Sequence, residues 1–232
     1  MASKEIQLVV LTGAGISAES GLRTFRDSDG LWEGHRVEDV ATPRAWKKDP
    51  SFVLGFYNQR RRDVLAAAPN AAHEGLAGLQ RHFDVTIITQ NIDDLHERSG
   101  SRQVLHLHGE VLKMRSEINP SAVYPVTTDM RWGDLAPDGS QLRPDVVWFE
   151  EPVPMITEAV AAVREADLFV VIGTSLAVYP AAGLLDFVPP SAPKFMVDRK
   201  IPFSSSSRGF SLIEQPATAG ITELIKQLEK FR

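Results

Sequence analysis

The chain has no cysteine, no apolar run long enough to span a bilayer and no extended cluster of one charge, and each absence removes a class of protein. Without cysteine there is no disulfide, no thiolate nucleophile and no cysteine-ligated zinc. Apolar runs such as Leu8 to Leu11 and Leu168 to Ile172 fall far short of the roughly 20 residues a spanning helix needs. Lys+Arg number 25 against 30 Asp+Glu, a formal net charge of −5, and the Arg60-Arg61-Arg62 triplet is too short to reverse that balance. Nucleic acid and anionic membrane both require a positive field, so neither is an expected partner. The start, Met1-Ala2-Ser3-Lys4-Glu5, has no signal-peptide core, and a cytoplasmic monomer is expected.

What is present is enough apolar material, 43% of 232 residues, to bury one large core or two small ones. Ile6 to Thr12, Val85 to Thr89, Gln103 to Leu107, Leu168 to Ile172 and Lys194 to Asp198 are short β-branched runs alternating with helical segments. Apolar runs without in/out alternation belong to strands covered on both faces, which predicts an α/β fold with a doubly wound, Rossmann-like parallel sheet. Ala217 to Phe231 places Ile221, Leu224, Ile225, Leu228 and Phe231 at spacings of three and four, an amphipathic closing helix.

Two stretches break the rhythm, Arg23 to Pro50 and Val111 to Gln141, both irregular and rich in Gly and Pro. Asp49-Pro50 is a helix start, after which Phe52, Val53, Phe56, Tyr57, Arg60 and Val64 share one face. The expectation is a single domain of two lobes. The large lobe covers approximately 1–28, 70–112 and 142–232, and a smaller insertion lobe approximately 29–69 and 113–141. The serine run Ser204 to Ser207 reads as an exposed loop.

The first strand ends in Thr12-Gly13-Ala14-Gly15-Ile16-Ser17-Ala18-Glu19-Ser20-Gly21, a glycine-rich turn into a helix start. Such a turn lets backbone approach a diphosphate, with free N–H groups and a positive helix end to hold it; a tight strand–helix turn with no ligand is the alternative. Gln90, Asn91 and Asp93 follow directly on a strand, at the carboxyl end of the sheet, where amides and a carboxylate suit ribose hydroxyls and a carboxamide. Asp93-Asp94 serves equally as a helix N-cap. His106 and His108 both lie near a strand end with imidazoles suited to general-base work, and strand geometry alone does not separate them.

Taken in order, Gly21-Leu22-Arg23-Thr24-Phe25-Arg26, Asp29-Gly30-Leu31-Trp32, Thr89-Gln90-Asn91-Ile92-Asp93-Asp94-Leu95-His96, Leu105-His106-Leu107-His108-Gly109-Glu110, Arg143-Pro144-Asp145-Val146-Val147-Trp148-Phe149, Gly173-Thr174-Ser175-Leu176 and Val178-Tyr179-Pro180 resemble the sirtuins, NAD-dependent protein lysine deacylases. The resemblance runs from Val10 to Tyr179. It implies NAD as a consumed co-substrate, acylated lysine side chains of proteins as substrates, and release of nicotinamide and O-acyl-ADP-ribose. It selects His108 as the catalytic base, with Asn91 beside it, assigns Asp93 and the Ile92 backbone to nicotinamide, and gives Gln90 and Asn91 the ribose and its water. It also assigns Gly13, Ala14, Gly15, Glu19, Thr24, Phe25, Arg26, Trp32, Gly173, Thr174, Ser175, Asp198 and Ala217 to the cofactor, Phe25 shielding the ribose centre. Val147, Phe149 and Tyr179 go to the substrate. Tyr57 and Arg60, three apart on one helix, resemble the class III pair that receives the carboxylate of succinyl- or malonyl-lysine, and acetyl is expected alongside.

Three departures stand out. The family ties its small lobe with cysteine pairs and zinc, whereas Val111 to Gln141 has neither Cys nor His, and Ser116 and Asn119 stand near a first pair. No metal is expected, and a core of Val123, Tyr124, Val126, Met130 and Trp132 takes its place. Glu150 replaces a glycine on the strand that pairs with substrate backbone, either narrowing peptide choice or favouring basic sequences. Asp198-Arg199 replaces an Asn-x-Glu stretch near the adenine ribose. These losses keep open an NAD- or ADP-ribose-binding module with little catalysis, and an ADP-ribosyltransferase.

Overall fold

The computed structural model describes residues 5–23, 31–32, 34–201 and 209–232. The serine run and Thr24, Phe25 and Arg26 lie outside the described residues. In chain order the strands are β1 (Gln7–Thr12), the short β2 (Leu31–Trp32) and β3 (His35–Arg36), β4 (Asp84–Thr89), β5 (Val104–His106), β6 (Gly109–Ser116), β7 (Val123–Pro125), β8 (Leu142–Val146), β9 (Leu168–Ile172), β10 (Lys194–Asp198) and β11 (Phe210–Glu214). Between and after them come helices α1 (Val37–Val40), α2 (Pro43–Lys48), α3 (Pro50–Ala66), α4 (Ala71–Leu79), α5 (Leu95–Arg98), α6 (Ile156–Arg164) and α7 (Ala217–Leu228).

Six strands pair in parallel in the order β11-β10-β9-β1-β4-β5. Counted among themselves they follow the 3-2-1-4-5-6 order of two mononucleotide-binding halves, reversing between β1 and β9. Both faces are buried: Leu8 and Val10 pack beneath α4 and α7, while Val9 and Leu11 pack on the opposite side beneath α6. Successive residues of one strand thus serve two cores, which is why the run shows no polar alternation. In α7, Ile221, Leu224 and Leu228 are buried as their spacing predicts, and a 3₁₀ turn over Glu229–Phe231 closes the chain.

A third core joins α1, α2 and α3 to an antiparallel sheet ordered β7-β6-β8. The Asp49 carboxylate accepts the Phe52 N–H at 2.9 Å and Pro50 opens α3, so cap and proline act as their residue types require. Val53, Phe56, Tyr57, Arg60 and Val64 are buried, whereas Phe52, in the first turn, is exposed, with its ring 5.3 Å from that of His35.

The span without cysteine is held differently from expectation. Val126 and Met130 are buried with Ala136 and Leu142, but Val123 and Trp132 are exposed. The remaining tie is polar. Ser116, fully buried, donates to Asp138 Oδ2 at 2.6 Å and lies 2.8 Å from Ser140 Oγ, while the Asn119 N–H donates back to Ser116 Oγ at 3.0 Å. Ser140 donates its N–H and hydroxyl to Asp138 Oδ1, and these bonds hold the Asp138 carboxyl below its usual range. Hydroxyls and one carboxylate do not fit a tetrahedral zinc site, and among the described residues no three His, Asp or Glu side chains gather as metal ligands. No helix among them is long and apolar enough to cross a membrane.

Candidate active site

A cavity of about 650 Å³ opens at the carboxyl end of the sheet, where the strand order reverses. Its floor is the junction of the turns after β1 and β9. A Cβ on Gly13 would stand 2.7 Å from Thr174 Cβ, and one on Gly15 would stand 2.7 Å from Gly173 Cα. Gly173 itself has φ +65°, a conformation side-chain-bearing residues avoid. The glycines let two turns touch. Their N–H groups are therefore committed, Gly13 to the Ile172 carbonyl at 3.0 Å and Gly15 to the Gly173 carbonyl at 2.8 Å. The expected free N–H groups and helix end are not found at these positions, because the segment forms two 3₁₀ turns, Ala14–Ile16 and Ala18–Ser20, stopped by Gly21 at φ +89°.

Above the floor, Gln90 Nε2 donates to Thr174 Oγ1 at 3.1 Å and Asn91 Nδ2 to Ser17 Oγ at 3.1 Å. Ser17 in turn donates to Asp93 Oδ2 at 3.0 Å, and the Leu95 N–H reaches Asp93 Oδ1 at 3.2 Å. Asp93 thus lines the cavity and holds the start of α5, while Asp94 faces Arg98 at 3.5 Å. Burial raises the Asp93 carboxyl above its usual range against the pull of those two bonds. Ser17 carries no sequence signal beyond a hydroxyl in a turn, yet it joins Asn91 to Asp93.

His73 and His96 close the back of this network, their rings 4.9 Å apart. The Asn70 N–H donates to His73 Nδ1, so the ring proton sits on Nε2, 3.5 Å from Ser17 Oγ. Thr12 Oγ1 lies 3.0 Å from His96 Nε2, and His96 Nδ1 is buried without a hydrogen-bond partner among the described residues. Burial pushes His73 down to about 4, and burial together with the His73 charge drives His96 well below the usual histidine range.

The two histidines that sequence geometry could not separate differ in the fold, because β5 ends at His106 and the chain turns before His108. His106 lies between Glu97 Oε1 at 2.8 Å and the Asn91 carbonyl at 3.1 Å. Burial works against its protonated form, but the bond to Glu97 and that charge hold its pKa above the ordinary value. His108 lines the cavity. Its Nδ1 lies 2.9 Å from the Gln90 carbonyl, which can only accept, so Nδ1 carries the proton and Nε2 is the basic nitrogen. Burial lowers the His108 pKa against the help of that carbonyl.

Tyr57, Arg60 and Trp32 stand together on one wall. Tyr57 is fully buried and its oxygen accepts the Trp148 indole N–H at 3.0 Å, leaving the phenolic hydrogen to donate; burial raises its pKa strongly, so it stays protonated. Arg60, 6% exposed, donates to Asp63 at 2.8 Å. Trp148 is in turn covered by Arg143, whose guanidinium lies 3.3 Å from its ring centre and pairs in a fork with Glu151 at 2.7 and 3.0 Å.

Val147, Phe149, Val178 and Tyr179 form the apolar mouth. Glu150 is on the rim too, in a turn after β8 rather than on a strand. Gly173, Thr174, Ser175, Asp198 and Ala217 line the other end, with Ile92 between. Glu19 is not on the wall. Both its oxygens are taken by the Thr218 N–H and hydroxyl, at 3.1 and 2.8 Å, tying the glycine turn to the start of α7.

Residues 13–180 match the model of the Sir2 family. The chain is 52% identical over 221 residues to an NAD-dependent protein deacylase of Helicobacter pylori, covering 95% of this chain and 96% of that one. It is 51% identical over 227 residues to an NAD-dependent protein deacylase of Bacteroides thetaiotaomicron, covering 95% and 97%. Among solved structures, a Sir2 homolog–NAD complex superposes with a TM-score of 0.87 at 38% identity, covering 98% of this chain and 91% of that one. A Sir2–p53 peptide–NAD+ complex gives 0.79 at 29% identity, with 97% and 94% covered.

Proposed function

Since this chain belongs to the Sir2 family, we propose that its cavity binds NAD beside an acylated lysine and that the preferred acyl group ends in a carboxylate. The chain is an NAD-dependent protein deacylase, and NAD, when bound, supplies the ribose carbon that accepts the acyl oxygen as nicotinamide leaves. The wall fits a dinucleotide. Its volume of about 650 Å³ stands over the joined glycine turns, and Asp93, Gln90 and Asn91 line it with carboxylate and amide groups. Gly13, Ala14, Gly15, Thr174, Ser175, Asp198 and Ala217 would hold the adenosine and phosphates. Trp32, Asn91, Ile92 and Asp93 would hold the nicotinamide riboside.

His108 acts as general base through Nε2. Its depressed pKa keeps it neutral at physiological pH, and the Gln90 carbonyl fixes the tautomer that points the lone pair away from Nδ1. Asn91 is held by Ser17 so that its amide cannot turn. At the acyl end, Tyr57 is a protonated donor and Arg60 a nearly buried guanidinium, a pairing suited to a carboxylate fork. This juxtaposition, in the same cavity as His108, carries the acyl assignment. Val147, Phe149 and Tyr179 take the peptide and the lysine stem.

The test is turnover of acetyl- and succinyl-lysine peptides with NAD, read by mass spectrometry, in the wild type, His108→Ala and Arg60→Met. O-acyl-ADP-ribose should form with the wild type, fall by about 100-fold or more in His108→Ala, and fall selectively with the succinyl peptide in Arg60→Met. Nicotinamide release without O-acyl-ADP-ribose would leave only ADP-ribosyl transfer to other acceptors. An equal loss on both peptides in Arg60→Met would refute the acyl assignment.

A further inference from the structure

Among the described residues four carboxylates line the cavity, and three are committed inside the protein. Asp93 is held by Ser17 and the Leu95 N–H, Glu151 is forked on Arg143, and Asp198 is buried beside β11 with its Oδ1 accepting the Lys200 N–H at 3.0 Å. Glu150 is different. It stands exposed on the rim next to Phe149, which is itself 43% exposed, and its oxygen pairs with Arg44, a side chain three-quarters open to water. Its backbone has φ +73°, left-handed for a residue that carries a Cβ, at a turn where glycine would sit without strain. The strain is kept together with the carboxylate, which sits at the opening through which a peptide must approach His108 and the Tyr57/Arg60 wall.

We propose that Glu150 is a specificity-determining residue that favours substrates carrying Lys or Arg within two positions of the acylated lysine, with Arg44 as the internal cation that such a residue displaces. The inference rests on the deacylase reading. An incoming cation finds a negative charge already aimed at the mouth by a rigid turn, since Glu151 next to it is clamped by Arg143 and the Trp148 N–H at 2.8 Å. Arg44 competes for the same oxygen. The pair is exposed on both sides, so it opens at little cost and is screened by salt. An acidic neighbour in the substrate meets the opposite field. The basic groups Arg199 and Lys200 stand on the segment after β10, with Asp198 at the other end of the cavity.

The experiment compares acyl-lysine peptides flanked by Lys or by Glu on both sides, as the ratio of kcat/KM values within each protein. Wild type should favour the Lys-flanked peptide by about five-fold at low salt, the effect of a rim ion pair of about 1 kcal/mol. Glu150→Gln and Glu150→Gly should each bring the ratio close to unity, the glycine variant controlling for any misfolding at the strained turn. Arg44→Met should widen the ratio, and added salt should shrink it in the wild type. A ratio that Glu150→Gln and Glu150→Gly both leave at the wild-type value overturns the proposal. Failure of the wild type to deacylate any peptide would remove the deacylase reading and this inference with it.

Discussion

Acidification should weaken the fold through His73 before any carboxylate ion pair is lost. His73 is fully buried beneath the Ser17–Asp93 network, with the His96 ring edge-on to it at 4.9 Å, and burial puts its folded pKa at about 4 against an unfolded value of 6.5. Below about pH 6.5 the unfolded chain binds a proton that the folded one refuses, so stability falls as pH falls, until about pH 4. At 1.36 kcal/mol per unit, the interval corresponds to about 3 kcal/mol in full and about 2 kcal/mol by pH 5. His96 works in the same direction, whereas His106 and Asp93, whose folded pKa values are raised, work in the opposite one. The difference between wild type and His73→Gln isolates the single group. Glutamine keeps an acceptor for the Asn70 N–H at the third helical position, a capping-box residue that does not titrate. Urea unfolding at about pH 7, 6 and 5 should show the wild type losing about 2 kcal/mol more than the variant over that range. Parallel curves for the two proteins would refute the argument that His73 is held neutral by its surroundings.

Two further substitutions test the frame of the site. Gly15→Ala places a methyl group 2.7 Å from the Gly173 backbone, which cannot move without parting β1 from β9; a loss of about 1–3 kcal/mol in chemical unfolding and weaker NAD binding by calorimetry are expected, and wild-type affinity would show that the turns slide freely. Ser116→Ala removes the hydroxyl that meets Asp138, Ser140 and the Asn119 N–H, and should cost about 1–2 kcal/mol, with metal analysis of the purified wild type finding no stoichiometric zinc; a neutral substitution or bound zinc would defeat the metal-free account of this lobe.

The parts of this protein that were legible in its sequence are those set by local chemistry repeated over several residues. Strands such as Leu168–Ile172 and Lys194–Asp198 were readable to the residue because an apolar run buried on both faces is bounded sharply, by Asp167 and Gly173 in the first and by Lys194 and Asp198 in the second. The Asp49-Pro50 start of α3 was readable because cap and proline each act within one turn. What could not be read depends on partners distant in sequence. His106 and His108 share a spacing that suits one strand face, yet the chain leaves β5 between them, and only Glu97, Asn91 and Gln90 decide which ring is locked into a structural pair and which is left facing the cavity. Glu19 looked like a ligand-facing carboxylate until Thr218, 199 positions away, took both its oxygens. The glycine turn misled for the same reason: it suggested N–H groups free for a phosphate, but Gly13 and Gly15 are glycine because another backbone, that of Gly173, lies against them. Ser116 and Glu150 invert the lesson. Each departs from the pattern of the family, and each is placed by what surrounds it in space: a hydrogen-bonded clasp around Ser116, and for Glu150 an exposed carboxylate on a left-handed turn at the mouth of the site.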